Sequence, residues 1–239
     1  GRATFPMSPT PARCANVAIV FILLLTHVLS EKFVVKSAIA LEAALLVDGA
    51  DIQLTDSVAI GRTLVVPSGV TVRLWAAPMQ GISGNGVPEE GRLLDVHGTL
   101  SMEYIVFFGG ISAVTTSVCG GGALMISASG SVSARGCKFQ ANSAKCGPGG
   151  AVRSFGVFNP TFCEFEWNNA VPDWRGQAVV CEAGCSMTSV DSFWKENGCT
   201  GCVGNPLLDI SASASVTCQT RVGEALSYDF NDIGSTGNG

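Results

Sequence analysis

A glycine followed two or three residues later by an aliphatic run recurs down the chain, and no other feature restricts the fold as much. The copies are Gly61-Arg62-Thr63-Leu64-Val65-Val66, Gly91-Arg92-Leu93-Leu94-Asp95-Val96 and Gly121-Gly122-Ala123-Leu124-Met125-Ile126, then Gly149-Gly150-Ala151-Val152, Gly176-Gln177-Ala178-Val179-Val180 and Gly204-Asn205-Pro206-Leu207-Leu208. Their leading glycines are 30, 30, 28, 27 and 28 residues apart. A second glycine follows in most copies, at Gly69, Gly98, Gly130, Gly156 and Gly184. Nine residues beyond the last four stand Phe107, Phe139, Phe165 and Phe193. A repeat of this length has to be read before any single element.

Within each copy, apolar residues alternate with period two, as in Val70, Val72, Leu74 and Leu100, Met102, Tyr104. The segments are short and broken by Gly, Ser, Asn and Pro, so they read as strands and turns. Charged residues make up only 14% of the chain, too few for the outer faces of helical repeats. Leucine-rich repeats are excluded by the missing Leu-x-x-Leu-x-Leu-x-x-Asn signature, and propellers by the repeat length. The expected fold is all-β, a single-stranded right-handed parallel β-helix of about seven rungs over residues 49–232. Phe107, Phe139, Phe165 and Phe193 are expected to form one stacked interior ladder.

Two consecutive copies carry a family likeness. Gly121-Gly122-Ala123-Leu124 with Phe139-Gln140-Ala141-Asn142, and Gly149-Gly150-Ala151-Val152 with Phe165-Glu166-Trp167-Asn168, resemble the GGA(I/L/V)…FxxN repeat of polymorphic outer-membrane proteins. That family is similar to the wider pectin-lyase-like class of right-handed β-helices. The resemblance covers roughly residues 45–220 and implies an exported surface molecule used in adhesion or as a stalk. It implies no catalytic residues. The motif weakens later, where Gly176-Gln177-Ala178 lacks the second glycine and Asn197 follows Phe193 one position late. Independently of the resemblance, Asn142 and Asn168 tolerate left-handed geometry and can bond neighbouring backbone in a stacked turn.

Residues 1–30 read as a secretory signal peptide, with Arg13 ahead of the apolar run Val17–Leu25 and small residues after it. The thirteen residues from Val17 to Leu29 are short of the roughly twenty needed to cross a bilayer. A signal anchor is the competing reading. The expected location is therefore secreted or cell surface, where disulfides persist. Residues 31–48 are expected to form an N-terminal capping helix running from Glu31 to Leu46, with Ser30 as its cap. Residues 233–239 read as a linker or a truncated end.

Removing residues 1–30 leaves nine of the ten cysteines, an odd number. Cys119 and Cys146 fall in the same turn one repeat apart and are the disulfide candidates. Cys137 and Cys163 share a column and read as buried thiols. A lone Cys199-Thr200-Gly201-Cys202 is a weak zinc signal. No metal site and no cofactor is expected.

His97 is the one histidine outside the leader, so Ser-His-Asp or Cys-His chemistry has little to work with. Glu164 and Glu166 flank Phe165 and share an outer face, the arrangement a glycan-cleaving carboxylate pair would need. Lys138 stands over Glu164, which reads as an exposed ion pair. The strongest contact candidate is the turn Asp173-Trp174-Arg175, perched between the Asn168 column and Gly176, with Glu166 and Trp194 on the neighbouring face. A net charge of -5 gives no footprint for nucleic acid. The expected function is a non-catalytic secreted or cell-surface repeat protein serving adhesion, glycan binding or spacing. The alternative is a polysaccharide lyase or hydrolase acting on acidic glycans. The expected partner is a glycan or a surface protein, with membrane contact only through an anchor outside this segment.

Overall fold

The glycine spacing reappears as strand register. In the computed structural model, which describes residues 31–84, 91–112, 119–170, 176–195, 208–210 and 215–219, one six-stranded sheet pairs Leu64, Leu94, Leu124, Val152, Val179 and Leu208 in a single column. Two units are delimited, Gly1–Glu31 and Lys32–Gly239. Every element described below lies in the second. The leader expected over residues 1–30 and the tail at 233–239 lie outside the described residues.

A larger sheet runs Lys32–Val35, Ala50–Leu54, Thr71–Ser83, Thr99–Phe108, Ser131–Arg135, Val157–Thr161, Ser186–Val190 and Ser215–Gln219. The short strands Lys138–Gln140, Glu164–Glu166 and Phe193–Lys195 extend it sideways. A third sheet joins Ile111–Ser112, Ser143–Ala144 and Asn169–Ala170. All described pairs are parallel, for example Thr99 beside Ser131 and Ser131 beside Val157. Parallel neighbours need a long crossover. Here the helix joins the first two strands, and the later crossovers run through the six-stranded sheet, three of them through the third sheet as well. The described residues are all-β apart from one helix.

Three columns of left-handed backbone bend successive passes from Thr99 onward. Tyr104 (φ 58°), Gly136 (58°), Phe162 (52°) and Asp191 (45°) form the first, and Gly109 (65°), Ala141 (53°) and Trp167 (52°) the second. Gly121, Gly149 and Gly176, at 65°, 74° and 64°, form the third. One such residue resets the side-chain phase. Met102 and Ile105 are therefore both fully buried although three positions apart, and Tyr104 faces solvent where strict alternation places it inside.

The same reset explains the FxxN spacing. Phe139 and Asn142 both point inward because Ala141 between them is left-handed; the asparagines themselves are not the left-handed residues. Asn142 donates from Nδ2 to Phe107 O at 3.0 Å, and its Oδ1 accepts from Gly110 N at 3.0 Å. Asn168 Oδ1 accepts from Asn142 N at 3.1 Å and from Asn142 Nδ2 at 3.0 Å, while Asn168 Nδ2 donates to Phe139 O at 2.9 Å. These fully buried amides satisfy backbone groups that the bend leaves exposed.

Paired glycines are required by close approach. A Cβ on Gly122 would lie 2.6 Å from Ser143 N, and one on Gly150 2.6 Å from Asn169 N. In the next pass Gln177 replaces the second glycine, is buried, and accepts from Ala170 N at 2.9 Å.

Phe107, Phe139 and Phe165 stack face to face in the interior, with ring centroids 5.1 and 4.8 Å apart. Phe158 meets Phe139 and Phe165 edge-on at 6.3 and 6.4 Å. The fourth expected member needs correcting: Trp194 is in register with Phe165, and Phe193 with Glu164. The cause is the glycine's place in its turn, since Ile126–Gly130 and Cys181–Cys185 are turns of equal length. Ser186 pairs with Val157, so Cys185 occupies the position of Gly156 and Gly184 stands one residue earlier, at φ +83° inside a wider turn. Gly69 occupies the same kind of wide turn at φ +79°. The second-glycine column therefore mixes two structural positions, and counting nine from Gly184 falls one short.

The helix is also shorter than expected. It spans Ala38–Leu45 and is capped by Ser37, whose Oγ accepts from Ala40 N at 3.3 Å. Lys32–Val35 is instead a strand, paired in parallel with Ala50–Leu54. Its Phe33-Val34-Val35 favours extended backbone, because bulky and β-branched side chains pack better on a pleat. Leu41, Ala44 and Leu45 are the buried face of the helix, which packs on Ala50–Leu54 and Leu64–Val66.

Two stability outcomes follow from this interior. Phe139→Ala should cost about 3–5 kcal/mol, because rings above, below and beside it cannot all collapse into the cavity. Asn142→Ala should cost about 1–3 kcal/mol by removing the buried amide's bonds to Phe107 O and from Gly110 N. Urea denaturation of both variants checks these values; unchanged midpoints would show that neither column carries the core.

Candidate functional site

Between the first two left-handed columns lies a narrow outer facet built from Val106, Lys138 and Glu164 in one row and Phe108, Gln140 and Glu166 in the next. Lys138 Nζ lies 2.7 Å from Glu166 Oε2 and 3.4 Å from Glu164 Oε2. Hydrogen bonding to Glu166 holds the lysine above its ordinary pKa of 10.5, although partial desolvation opposes this. One ammonium thus engages both members of the carboxylate pair. Neither can turn to a substrate without breaking an ion pair.

Aromatic side chains rim this facet. Tyr104 and Phe162 are 45% and 37% exposed on one side, and Phe108 and Trp167 are 48% and 49% exposed toward the other. A Cβ on Gly136 would meet Tyr104 Cε1 at 2.8 Å, so the glycine makes room for the tyrosine ring to lie along the column toward Phe162.

Next to Phe162 a groove of about 500 Å³ crosses the large sheet, lined by Ser101, Glu103, Ser133, Arg135, Asn159 and Thr161 among others. Its hydroxyls and amide come from alternate outward positions on three successive strands. Glu103 is bound by Arg73 Nη2 at 3.2 Å, and Arg73 also reaches Asp51 at 3.6 Å. Arg135 is exposed at the groove wall. An aromatic plane, a guanidinium and a row of neutral hydrogen-bonding groups therefore share one surface, a set able to hold a polar ring with hydroxyl or anionic substituents.

On the outside of the six-stranded sheet Arg153 joins three passes. It lies 2.7 Å from Glu182 Oε1, donates to Cys119 O, and places its guanidinium 4.9 Å over Phe155. Nearby, Arg92 Nη1 is 3.1 Å from Asp95 Oδ1, and burial raises the Asp95 carboxyl pKa despite that neighbour. Among the described residues no three His, Cys, Asp or Glu side chains gather as a metal site. His97 is exposed in a turn, its backbone N donating to Val66 O at 2.9 Å.

Cys119 and Cys146 form a disulfide between successive passes, with Cα atoms 5.4 Å apart. A second bridge, Cys181–Cys185, closes the wide turn containing Gly184. Sequence reasoning missed it, and the spacing across Glu182-Ala183-Gly184 was its only signal. Cys137 and Cys163 are buried thiols. The contact turn Asp173-Trp174-Arg175 and the pair Cys199 and Cys202 lie outside the described residues. Trp194, expected beside Glu166, holds the register position of Phe165, and Lys195 is the residue beside Glu166. Tyr104, Arg135 and Phe162 were not singled out from sequence. Tyr104 carried a signal, as an aromatic placed where an alternating run had to break. Among the described residues no helix is long and apolar enough to cross a membrane.

The lysine gives a pH dependence with a definite sign. Its folded-state pKa is raised, so its ion pairs stabilise fully below 10.5, and that stabilisation is lost as pH rises through the higher folded value. The unfolding midpoint should decline in that alkaline window, and Lys138→Met should lose this part of the decline. At neutral pH the substitution should cost under about 1 kcal/mol, since both partners reach solvent.

No protein-family model, curated protein or solved structure matches this chain.

Proposed function

We propose that the chain is a right-handed parallel β-helix of about seven rungs, with the helix Ala38–Leu45 as its lid, and that it serves as an exported, non-catalytic binding or spacing module. Parallel pairing through all three sheets supports the solenoid, as do the stacked Phe and Asn columns. Two disulfides fit an oxidising compartment, secreted or at the cell surface. The resemblance to polymorphic outer-membrane repeats and the pectin-lyase-like class rests on the repeat residues, and adhesion is the role it suggests.

The observation that carries the binding reading is the groove beside Phe162, where Arg135, Ser133, Asn159 and Thr161 converge under an exposed aromatic rim. Glycans present this combination of apolar ring faces and hydroxyls, and a surface protein is the other partner class. The Asp173-Trp174-Arg175 turn, with Glu166, is retained as a second contact proposal.

Binding to immobilised neutral and acidic oligosaccharides, with release of reducing or unsaturated ends measured alongside, tests this reading. The expected result is binding without turnover. Phe162→Ala should weaken it about tenfold, equivalent to about 1.4 kcal/mol, with an unchanged unfolding midpoint. Trp174→Ala should show the same pattern if that turn takes part. Steady release of sugar ends, abolished by Glu166→Gln, would instead establish the lyase or hydrolase alternative.

A further inference from the structure

Among the described residues the interior holds one pair of free thiols that neither the packing nor the groove accounts for. Cys137 and Cys163 are 1% and 0% exposed and are free thiols. The register pairs Arg135 with Thr161 and Lys138 with Glu164, so the two cysteines occupy one column on adjacent passes. Adjacent strands lie about 4.8 Å apart, which falls within the Cα separation a disulfide accepts. The chain already contains one bridge between successive passes, Cys119–Cys146.

Each thiol follows the left-handed corner residue and braces it. Cys137 Sγ lies 3.6 Å from Arg135 O, and Cys163 Sγ lies 3.4 Å from Ala134 O and 3.6 Å from Thr161 O. Ser192 Oγ makes the equivalent contact with Val190 O at 3.3 Å in the following pass. A hydroxyl therefore serves the bracing role as well as a thiol. Bracing alone gives no reason for two sulfurs in contact.

We propose that Cys137 and Cys163 are a modification site, a latent third disulfide between passes that forms by exchange with a low-molecular-weight disulfide when the corner opens. Cys163 thiolate attacks one sulfur of the donor, releasing the first donor thiolate and leaving a mixed disulfide. Cys137 thiolate then attacks Cys163 Sγ, releasing the second. Two protein thiols are oxidised, one donor disulfide is reduced to two thiols, and the protein protons pass to the leaving thiolates. Hydrogen bonding from Cys137 lowers the thiol pKa of Cys163, and the same bond, with burial, raises that of Cys137, which fits this order of attack.

Oxidised glutathione is the probe, added to the intact chain in urea just below its unfolding transition. Remaining thiols are then blocked with N-ethylmaleimide under denaturing, non-reducing conditions, and the protein is digested with trypsin. Cleavage after Arg135, Lys138, Arg153 and Arg175 puts the two cysteines on separate peptides, 136–138 and 154–175. The expected product is these two peptides joined, lighter by two hydrogens than their sum and unalkylated. Cys137→Ser should stop at a glutathione adduct on Cys163. Recovery of both cysteines alkylated, or of separate glutathione adducts on each, would overturn the proposal. So would a free Cys163 in the Cys137→Ser variant.

Discussion

Backbone hydrogen bonds between successive passes do not stop where the strands stop. Gly121 N donates to Gly149 O at 2.8 Å, Gly122 N to Gly150 O at 2.9 Å and Ala123 N to Ala151 O at 2.8 Å. The pattern continues from Gly150 N to Gln177 O and from Ala151 N to Ala178 O, at 3.0 and 2.8 Å. When turns as well as strands must pair with the pass above, each position inherits the backbone conformation of its column. Left-handed residues line up for this reason, and a Tyr, a Phe and a Trp are held in a conformation that ordinarily favours glycine. The buried asparagines complete the same ladder where backbone alone cannot reach.

This constraint also decides what could be read from sequence. The leading glycines were legible because a left-handed turn allows few residue types, so Gly121, Gly149 and Gly176 recur in the same place. Phe107, Phe139 and Phe165 were legible because their offsets survive from pass to pass. Phe193 was misplaced because Gly184 stands one position earlier in its turn than Gly130 does in a turn of the same length, so Cys185 takes the place that Gly130 and Gly156 hold. The strand at Lys32–Val35 was misread as helix because apolar residues at 33, 35, 39 and 41 fit both periods; only Ser37, as the actual cap, separates them.

The candidate surface was less legible than the interior. Sequence reasoning assumes strict alternation to assign faces, and each left-handed residue reverses that assignment. Tyr104 and Phe162 thereby pass from expected core or unremarked positions to the rim of the groove. Glu164 and Glu166 do share an outer face, as period two requires over so short a strand. Lys138, one pass earlier, was legible as the partner of Glu164; its shorter contact with Glu166 was not.

The hydrogen bonds of the sheets run along the direction in which passes stack, so a pull applied along that direction would load one interface after another in series. Each interface resists through a few short ladders, and the weakest would open first. Cys119–Cys146 alters this for one pair of passes, because its covalent link cannot be unzipped. Arg153, gripping Glu182 on one side and Cys119 O on the other, extends that reinforced block toward the next pass. A molecule stretched between two anchoring points would thus part elsewhere, and the middle of its stack would behave as a rigid mechanical insert.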